Sequence, residues 1–97
     1  MEYNVPLRYQ KDIQTATNLL KNMGCQSVYL FGSLVTGKIH ENSDIDIGIK
    51  GLPPQKFIRT YSILDENLTN NVDLVDFDEN NEFYDLLNSL GELVELG

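Results

Sequence analysis

The sequence has very few of the residues that build disulfide-stabilised or zinc-binding domains. Its 97 residues include one cysteine, Cys25, and one histidine, His40. A lone cysteine excludes an internal disulfide, and the two residues together cannot supply the ligands of a zinc site. Because Gly24 and Gln26 carry no charge that would activate a thiolate, we expect a structural or incidental role for Cys25.

Long apolar runs are also missing. No run approaches the roughly 18 residues that a membrane span requires, and the polar start of the chain does not resemble a signal peptide. We therefore expect a cytoplasmic protein without membrane association. With 41% hydrophobic residues, residues 1–97 are predicted to form one compact domain. So small a domain is only marginally stable alone, which favours a partner protein or a homo-oligomer.

Basic side chains are scarce: seven Lys and Arg stand against 15 Asp and Glu, for a net charge of −8. The seven are scattered along the chain, whereas nucleic-acid backbones are bound by clusters of Lys and Arg. We therefore expect no direct binding of nucleic acid. A polyphosphate ligand would need cations to bridge it to these acids, so the charge favours a small nucleotide with metal, or a basic protein partner.

The order of apolar patterns predicts an α/β (α+β) fold, a small mixed β-sheet of three to four strands packed against helices. Helices are predicted at 9–23 and 55–68, with a short one after Gly32-Ser33 and a last one after residue 78. Strands are predicted at 28–31, 44–50, 72–76 and 92–96. The second long helix is expected to bury Ile58, Tyr61, Leu64 and Leu68, and Asp78 to cap the last helix, which carries Phe83, Leu86, Leu87 and Leu90.

Two acidic residues share one face of the second predicted strand. Side chains alternate along a strand, so Ile45, Ile47 and Ile49 enter the core while Asp44 and Asp46 lie on the opposite face. Two carboxylates about 6 Å apart repel by roughly 3 kcal/mol at an effective dielectric constant of 20. Mg²⁺, which prefers oxygen ligands, would turn that repulsion into attraction.

Asp73 is the natural third acid, because its short apolar strand is expected to lie beside the other two. Three carboxylates can hold two metal ions about 3.5–4 Å apart. Asp73 would then contact the metal on the nucleophile side and act as, or orient, a general base.

A Gly-Ser turn follows the first predicted strand. Gly32 has no Cβ, so its backbone can approach a phosphate closely, and Ser33 offers a hydroxyl and backbone amides at a helix start. Simpler interpretations stay open for each feature. The acids can be the solvated face of an edge strand, Asp76 and Asp78 a strand end and a helix cap, and His40 and Lys38 ordinary loop residues.

Phe31, Gly32-Ser33 and, after ten residues, Asp44-Ile45-Asp46 resemble the signature of the DNA polymerase β-like nucleotidyltransferase superfamily. With Asp73 as third acid and so short a chain, the sequence is similar to the minimal nucleotidyltransferases of the MntA type, the antitoxin partners of HEPN-domain toxins. Leu34 stands where many relatives carry an arginine, which removes one phosphate contact.

The resemblance implies a nucleotidyltransferase fold in a single minimal domain, residues 1–97. It implies that Gly32 and Ser33 bind the triphosphate of ATP and that Asp44, Asp46 and Asp73 are catalytic and hold two Mg²⁺ ions, or Mn²⁺. AMP would pass from ATP to a tyrosine of a HEPN-domain partner. Two alternatives stay open: transfer to a small molecule such as an aminoglycoside, and a non-catalytic acidic antitoxin that neutralises its partner by binding.

Overall fold

The computed structural model of the chain describes residues 5–97. In these residues four α-helices alternate along the chain with the strands of one four-stranded sheet. The elements are, in order, α1 (Leu7–Asn22), β1 (Ser27–Phe31), α2 (Ser33–Thr36), β2 (Ile45–Lys50), a 3-10 turn (Pro54–Lys56), α3 (Phe57–Asn67), β3 (Val72–Asp76), α4 (Asn81–Ser89) and β4 (Val94–Leu96). The predicted α/β class and all predicted strands are confirmed, with ends shifted by one or two residues.

The sheet is mixed, in the order β3-β2-β1-β4. β1 pairs antiparallel with β2 and β4, whereas β2 and β3 are parallel. A parallel pair needs a crossover connection, and α3 supplies it. β3 therefore lies beside β2, as the sequence predicted, and it forms one edge of the sheet.

The two faces of the sheet are covered unequally. α1 and α3 pack on one face, where Ile45, Ile47 and Ile49 are fully buried, as predicted from their alternation. The opposite face carries a smaller cluster built on Phe31, Phe77 and Leu87, with α4 at one end of it. Beyond that cluster this face is open, and Asp46 of β2 and Asp73 of β3 lie on it.

Two side chains of α1 hold the loops that lead into β2 and β3. The Tyr9 hydroxyl donates a hydrogen bond of 3.1 Å to the Ser43 carbonyl, just before β2. The buried Asp12 carboxylate accepts from the amides of Thr69 and Asn70, at 3.0 and 2.7 Å, just before β3. It also accepts from both side chains. α1 thus fixes where both strands begin.

Two predictions about side chains were wrong. Ile58 is 76% exposed rather than buried, because the buried stripe of α3 runs through Phe57, Thr60 and Leu64. Asp78 is not the N-cap of α4, since the helix begins three residues later and Asn80 holds the cap position. Asp78 instead accepts a hydrogen bond of 2.7 Å from the Gly51 amide.

The described part of the chain contains no helix whose length and apolar character would suit it to crossing a bilayer. Cys25 is buried in the main core, and burial, with the Asp76 carboxylate, raises the pKa of its thiol to about 11. The thiol therefore stays protonated at neutral pH, in accord with a structural role.

Replacing Asp12 with alanine tests the anchoring of the loop before β3. The substitution leaves the Thr69 and Asn70 amides without their acceptor, and we expect the free energy of unfolding at pH 7 to fall by about 2 kcal/mol or more. Urea denaturation measures this. Gln14→Ala is the matched control, because Gln14 lies on the exposed face of the same helix.

The difference in unfolding free energy between wild type and Asp12→Ala should depend on pH. Burial alone would raise the pKa of Asp12, but the hydrogen bonds from Asn70 and Thr69 outweigh it and lower that pKa. The contribution of Asp12 is therefore present above the unfolded pKa of about 3.9 and is lost as the pH falls through the folded value. An equal difference in stability between wild type and Asp12→Ala at pH 7 and pH 3 would contradict this.

Candidate active site

The site is built where β1, β2 and β3 present one row of residues. Phe31 of β1 pairs with Asp46 of β2, and Asp46 pairs with Asp73 of β3. Because paired residues on neighbouring strands, about 4.8 Å apart, point to the same face, the Asp46 and Asp73 side chains stand side by side on the open face. The strand pairing therefore brings these two predicted site residues together.

Asp46 carries the clearest electrostatic signature of the site. Burial raises its pKa to about 6, and the neighbouring carboxylates of Asp73 and Asp44 add to the shift in that order. Both causes act on the charged form, because water is excluded and like charges are near. At neutral pH the chain therefore holds a costly negative charge at this position.

Gly32 lies against Asp46. Its φ angle is +76°, in the region that glycine favours, and a Cβ at this position would overlap the Asp46 carboxylate. Phe31 precedes Gly32 and pairs with Asp46, so the end of β1 leads directly into this contact. Ser33 follows as the first residue of α2 and is half-buried. The predicted Gly-Ser turn thus adjoins Asp46, one of the three predicted acids.

Asp44 lies just outside β2, which begins at Ile45 rather than at Asp44 as predicted. It is exposed, and it lines an open cavity of about 480 Å³ at the β3 edge together with Tyr61 and Asp65. The Tyr61 hydroxyl donates a hydrogen bond of 2.9 Å to the Val72 carbonyl beside Asp73. Burial, and then the charges of Asp73, Asp65 and Asp44, raise the pKa of Tyr61.

Within residues 5–97, no group of three or more His, Cys, Asp or Glu side chains, and therefore not Asp44 with Asp46 and Asp73, is arranged as a cage that could hold a metal ion. Mg²⁺ rarely uses such cages and is usually held by one or two carboxylates together with substrate phosphates. Asp46 and Asp73 offer hard oxygen ligands on one face, and their repulsion is what a divalent cation would relieve. The residues present therefore fit a magnesium or manganese ion.

The residues that position this site were not predicted from the sequence. Asp12 and Tyr9 hold the loops before β3 and β2, and Tyr61 holds the edge of β3. Asp12 had one usable signal, since it falls among the buried positions Tyr9, Ile13 and Ala16 of an amphipathic helix. A carboxylate on such a face requires hydrogen-bond partners, although the sequence does not say which.

Asp46→Asn should make the metal-free protein more stable. With a pKa of about 6 in the folded chain, the Asp46 contribution to stability is present below the unfolded pKa of about 3.9 and is lost as the pH rises through 6. We expect the free energy of unfolding at pH 7.5 to increase by roughly 1 kcal/mol, a value reduced for partial exposure to water.

Urea denaturation at pH 7.5 and pH 4.5 measures the effect, which should shrink at the lower pH. Asp65→Asn is the control, because Asp65 is an exposed acid outside the row. A loss of stability in Asp46→Asn at pH 7.5 would show that the carboxylate is not repelled as described.

Comparison with known proteins bears on this geometry. The sequence model of the family "Polymerase beta, Nucleotidyltransferase" matches residues 14–92. Comparison with curated protein sequences gives no significant match.

Several solved toxin–antitoxin structures have a similar fold. A crystal structure of a toxin–antitoxin with AMP-PNP is 34% identical with a TM-score of 0.57, and a mutant of the toxin–antitoxin MntA-HpeT is 31% identical with a TM-score of 0.56. Each alignment covers 68% of this chain and 57% of the other. Another similar structure is that of a tri-AMPylated Shewanella oneidensis HEPN toxin in complex with MNT antitoxin. Its matching chain is 28% identical to this one, with a TM-score of 0.53. The alignment covers 71% of this chain and 56% of that chain.

These alignments span little more than half of the chains they match. The family match covers more of this chain, and residues 14–92 include β1 with the Gly-Ser turn, both acidic strands and α4. On that match, the chain belongs to the polymerase β nucleotidyltransferase family.

Proposed function

We propose that this chain is a metal-dependent nucleotidyltransferase that moves AMP from ATP to a tyrosine of a HEPN-domain toxin, and so acts as an antitoxin. The observation that carries the proposal is the position of Asp46, which lies against Gly32 on one side and beside Asp73 on the other. A triphosphate at the Gly-Ser turn would therefore meet the acids directly.

Three acids are assigned to the metal. Asp46 and Asp73 would be its ligands on the open face. Asp44, exposed just before β2, would join them as the third once the metal and the triphosphate are bound, because no three acids are grouped to hold a metal in residues 5–97. Mg²⁺ or Mn²⁺, two ions in the full site, would neutralise the triphosphate and help activate the attacking hydroxyl when bound. The raised pKa of Asp46 supports this assignment, because a cation would stabilise its charged form.

Gly32 and Ser33 are assigned to the triphosphate. With no Cβ at Gly32, a phosphate oxygen can approach the backbone closely. The backbone amides of Val35 and Thr36 donate hydrogen bonds to the Gly32 carbonyl, which fixes the turn. Ser33 supplies a hydroxyl next to it. Positioning of this kind accounts for most of the rate in phosphoryl and nucleotidyl transfer.

The transfer step needs a base on the acceptor side. In our proposal the tyrosine hydroxyl oxygen attacks the α-phosphorus, and the bond from that phosphorus to the oxygen bridging the β-phosphate breaks. Pyrophosphate leaves with the electron pair of that bond. Asp73, exposed on the edge strand, accepts the hydroxyl proton or orients the hydroxyl.

The acceptor is proposed from the relatives. One of them is a complex of an MNT antitoxin with a tri-AMPylated HEPN toxin, and another toxin–antitoxin structure contains AMP-PNP. Both results support ATP as the AMP donor and a HEPN-domain protein as the acceptor for this chain.

The direct test is to incubate the chain with Mg²⁺, ATP labelled at the α-phosphate and a HEPN-domain toxin. We expect label on the toxin, and we expect Asp44→Asn and Asp46→Asn each to slow transfer by about 100-fold or more, because charge stabilisation is lost. Asp78→Asn is the matched control: it belongs to the other Asp-x-Asp pair, which accepts a hydrogen bond from Gly51.

Other outcomes favour the alternatives. Label on a small acceptor such as an aminoglycoside, and none on the toxin, would indicate a small-molecule enzyme. Neutralisation of the toxin that survives both substitutions would indicate a binding antitoxin. Either result would contradict AMP transfer as the function.

Gly32→Ala tests the close approach of the turn to Asp46. A Cβ there overlaps the Asp46 carboxylate, so we expect at least a tenfold loss of transfer and a smaller rise in melting temperature with Mg²⁺ and ATP. Gly37→Ala is the control: its φ is +84° as well, but its Cβ would meet nothing within 4 Å. Both variants place alanine at a positive φ, but the strain is greater at Gly32, whose ψ of −152° lies in a region almost restricted to glycine, than at Gly37, whose ψ of 4° is left-handed helical. Equal losses of transfer would refute the specific role of Gly32.

A further inference from the structure

α4 presents large apolar side chains to water. Phe83, Leu86 and Leu90 are 38%, 53% and 57% exposed, whereas Leu87 of the same helix is buried. Residues three and four apart lie on one face of a helix, so these three exposed side chains form a continuous row, called here the α4 strip. Contiguous exposed apolar residues of this kind mark a surface that another molecule covers.

One end of the strip adjoins the site. The Phe83 ring packs edge-on against Phe31, with ring centroids 5.5 Å apart. Phe31 precedes Gly32 and pairs with Asp46. A molecule seated on the α4 strip would therefore lie next to the Gly-Ser turn, where the acceptor of a transferred group must arrive.

Acidic groups border the strip. Glu82 and Asp85 are exposed on α4, and Glu82 lies one turn before Leu86. A cavity of about 500 Å³ beside Phe83 is lined by Glu79, Asn80, Asn81 and Glu82. A Lys or Arg side chain would suit this cavity, because its aliphatic stem can pack on Phe83 while its charge meets the two carboxylates.

The charge of the whole segment argues against a second copy as the occupant. Residues 60–97 contain ten of the 15 acidic residues and none of the seven basic ones. The acids of α3 lie on the other side of the sheet, but a symmetric dimer through α4 would place Glu79, Glu82 and Asp85 near their own copies. Like charges across an interface cost several kcal/mol. A partner with Lys and Arg around an apolar patch has the complementary charge.

We infer that the α4 strip is the docking surface for the acceptor protein, a partner whose apolar patch is flanked by Lys or Arg. This inference rests on the proposed function for the identity of the reaction, and adds where the acceptor is held. The strip would set affinity through Leu86 and Leu90, and the adjacent acids would set orientation and the rate of encounter.

The test measures binding and transfer separately, with a HEPN-domain toxin as the probe. Leu86→Ser and Leu90→Ser remove apolar area from exposed positions, so folding should be retained. We expect each to raise the Kd for the toxin by about tenfold and to raise KM for the toxin with little change in kcat. Leu7→Ser is the matched control, since Leu7 is 80% exposed but lies on α1.

Substitutions of acidic residues test how much charge contributes to toxin binding. Glu82→Gln with Asp85→Asn should weaken toxin binding severalfold and reduce its salt dependence, whereas Glu66→Gln, an exposed acid on α3, should not. The rise in melting temperature with Mg²⁺ and ATP should be unchanged in all strip variants, because none of them touches the nucleotide site.

The outcomes separate this inference from the proposed function. If the strip substitutions weaken toxin binding but the wild type transfers no AMP, the docking surface stands and the transferase function is refuted. If the wild type transfers AMP and binds the toxin, and the strip substitutions weaken neither, the docking surface alone is refuted. Failure of the wild type to bind the toxin, or a dimer in sedimentation analysis that Leu86→Ser dissolves, would also overturn the strip as an acceptor surface.

Discussion

The Asp46 carboxylate is held in a place that burial and its acidic neighbours both make unfavourable for a negative charge. It is half-buried, the Asp73 carboxylate stands beside it across the β2–β3 pair, and Gly32 leaves just enough room for it. These constraints raise its pKa to about 6. The fold thus spends stability to keep an acid where only a cation would make its charge favourable. The proposed sites for the metal and the triphosphate both follow from that arrangement.

The rest of the domain serves to hold that position. Fully buried isoleucines fix the other face of β2, so its register cannot slip by one residue without sending Asp46 into the core. Tyr9 and Asp12 hold the loops before β2 and β3, which sets the level at which the two acids meet. The crossover through α3 makes β2 and β3 parallel and places their first residues at the same end of the sheet.

Much of this could be read from the sequence, because local patterns carry it. The alternation of apolar and acidic residues predicted which side chains of β2 share a face, and the turn residues predicted where β1 and α1 end. The contacts of Asp12 and Tyr61 could not be predicted, since they join residues 57 and 11 positions apart and depend on how helices pack. The start of α4 was missed for a related reason: Asp78 has the chemistry of a helix cap, but Gly51 on another loop takes its carboxylate.

A crystal structure with Mn²⁺ and a non-hydrolysable ATP analogue tests the central claim most directly, because manganese can be located by its anomalous scattering. We expect a manganese peak in contact with the carboxylates of Asp46 and Asp73, with the phosphates of the analogue lying on the Gly32-Ser33 turn. A manganese peak away from both carboxylates, or phosphates bound at a different part of the sheet, would contradict the account.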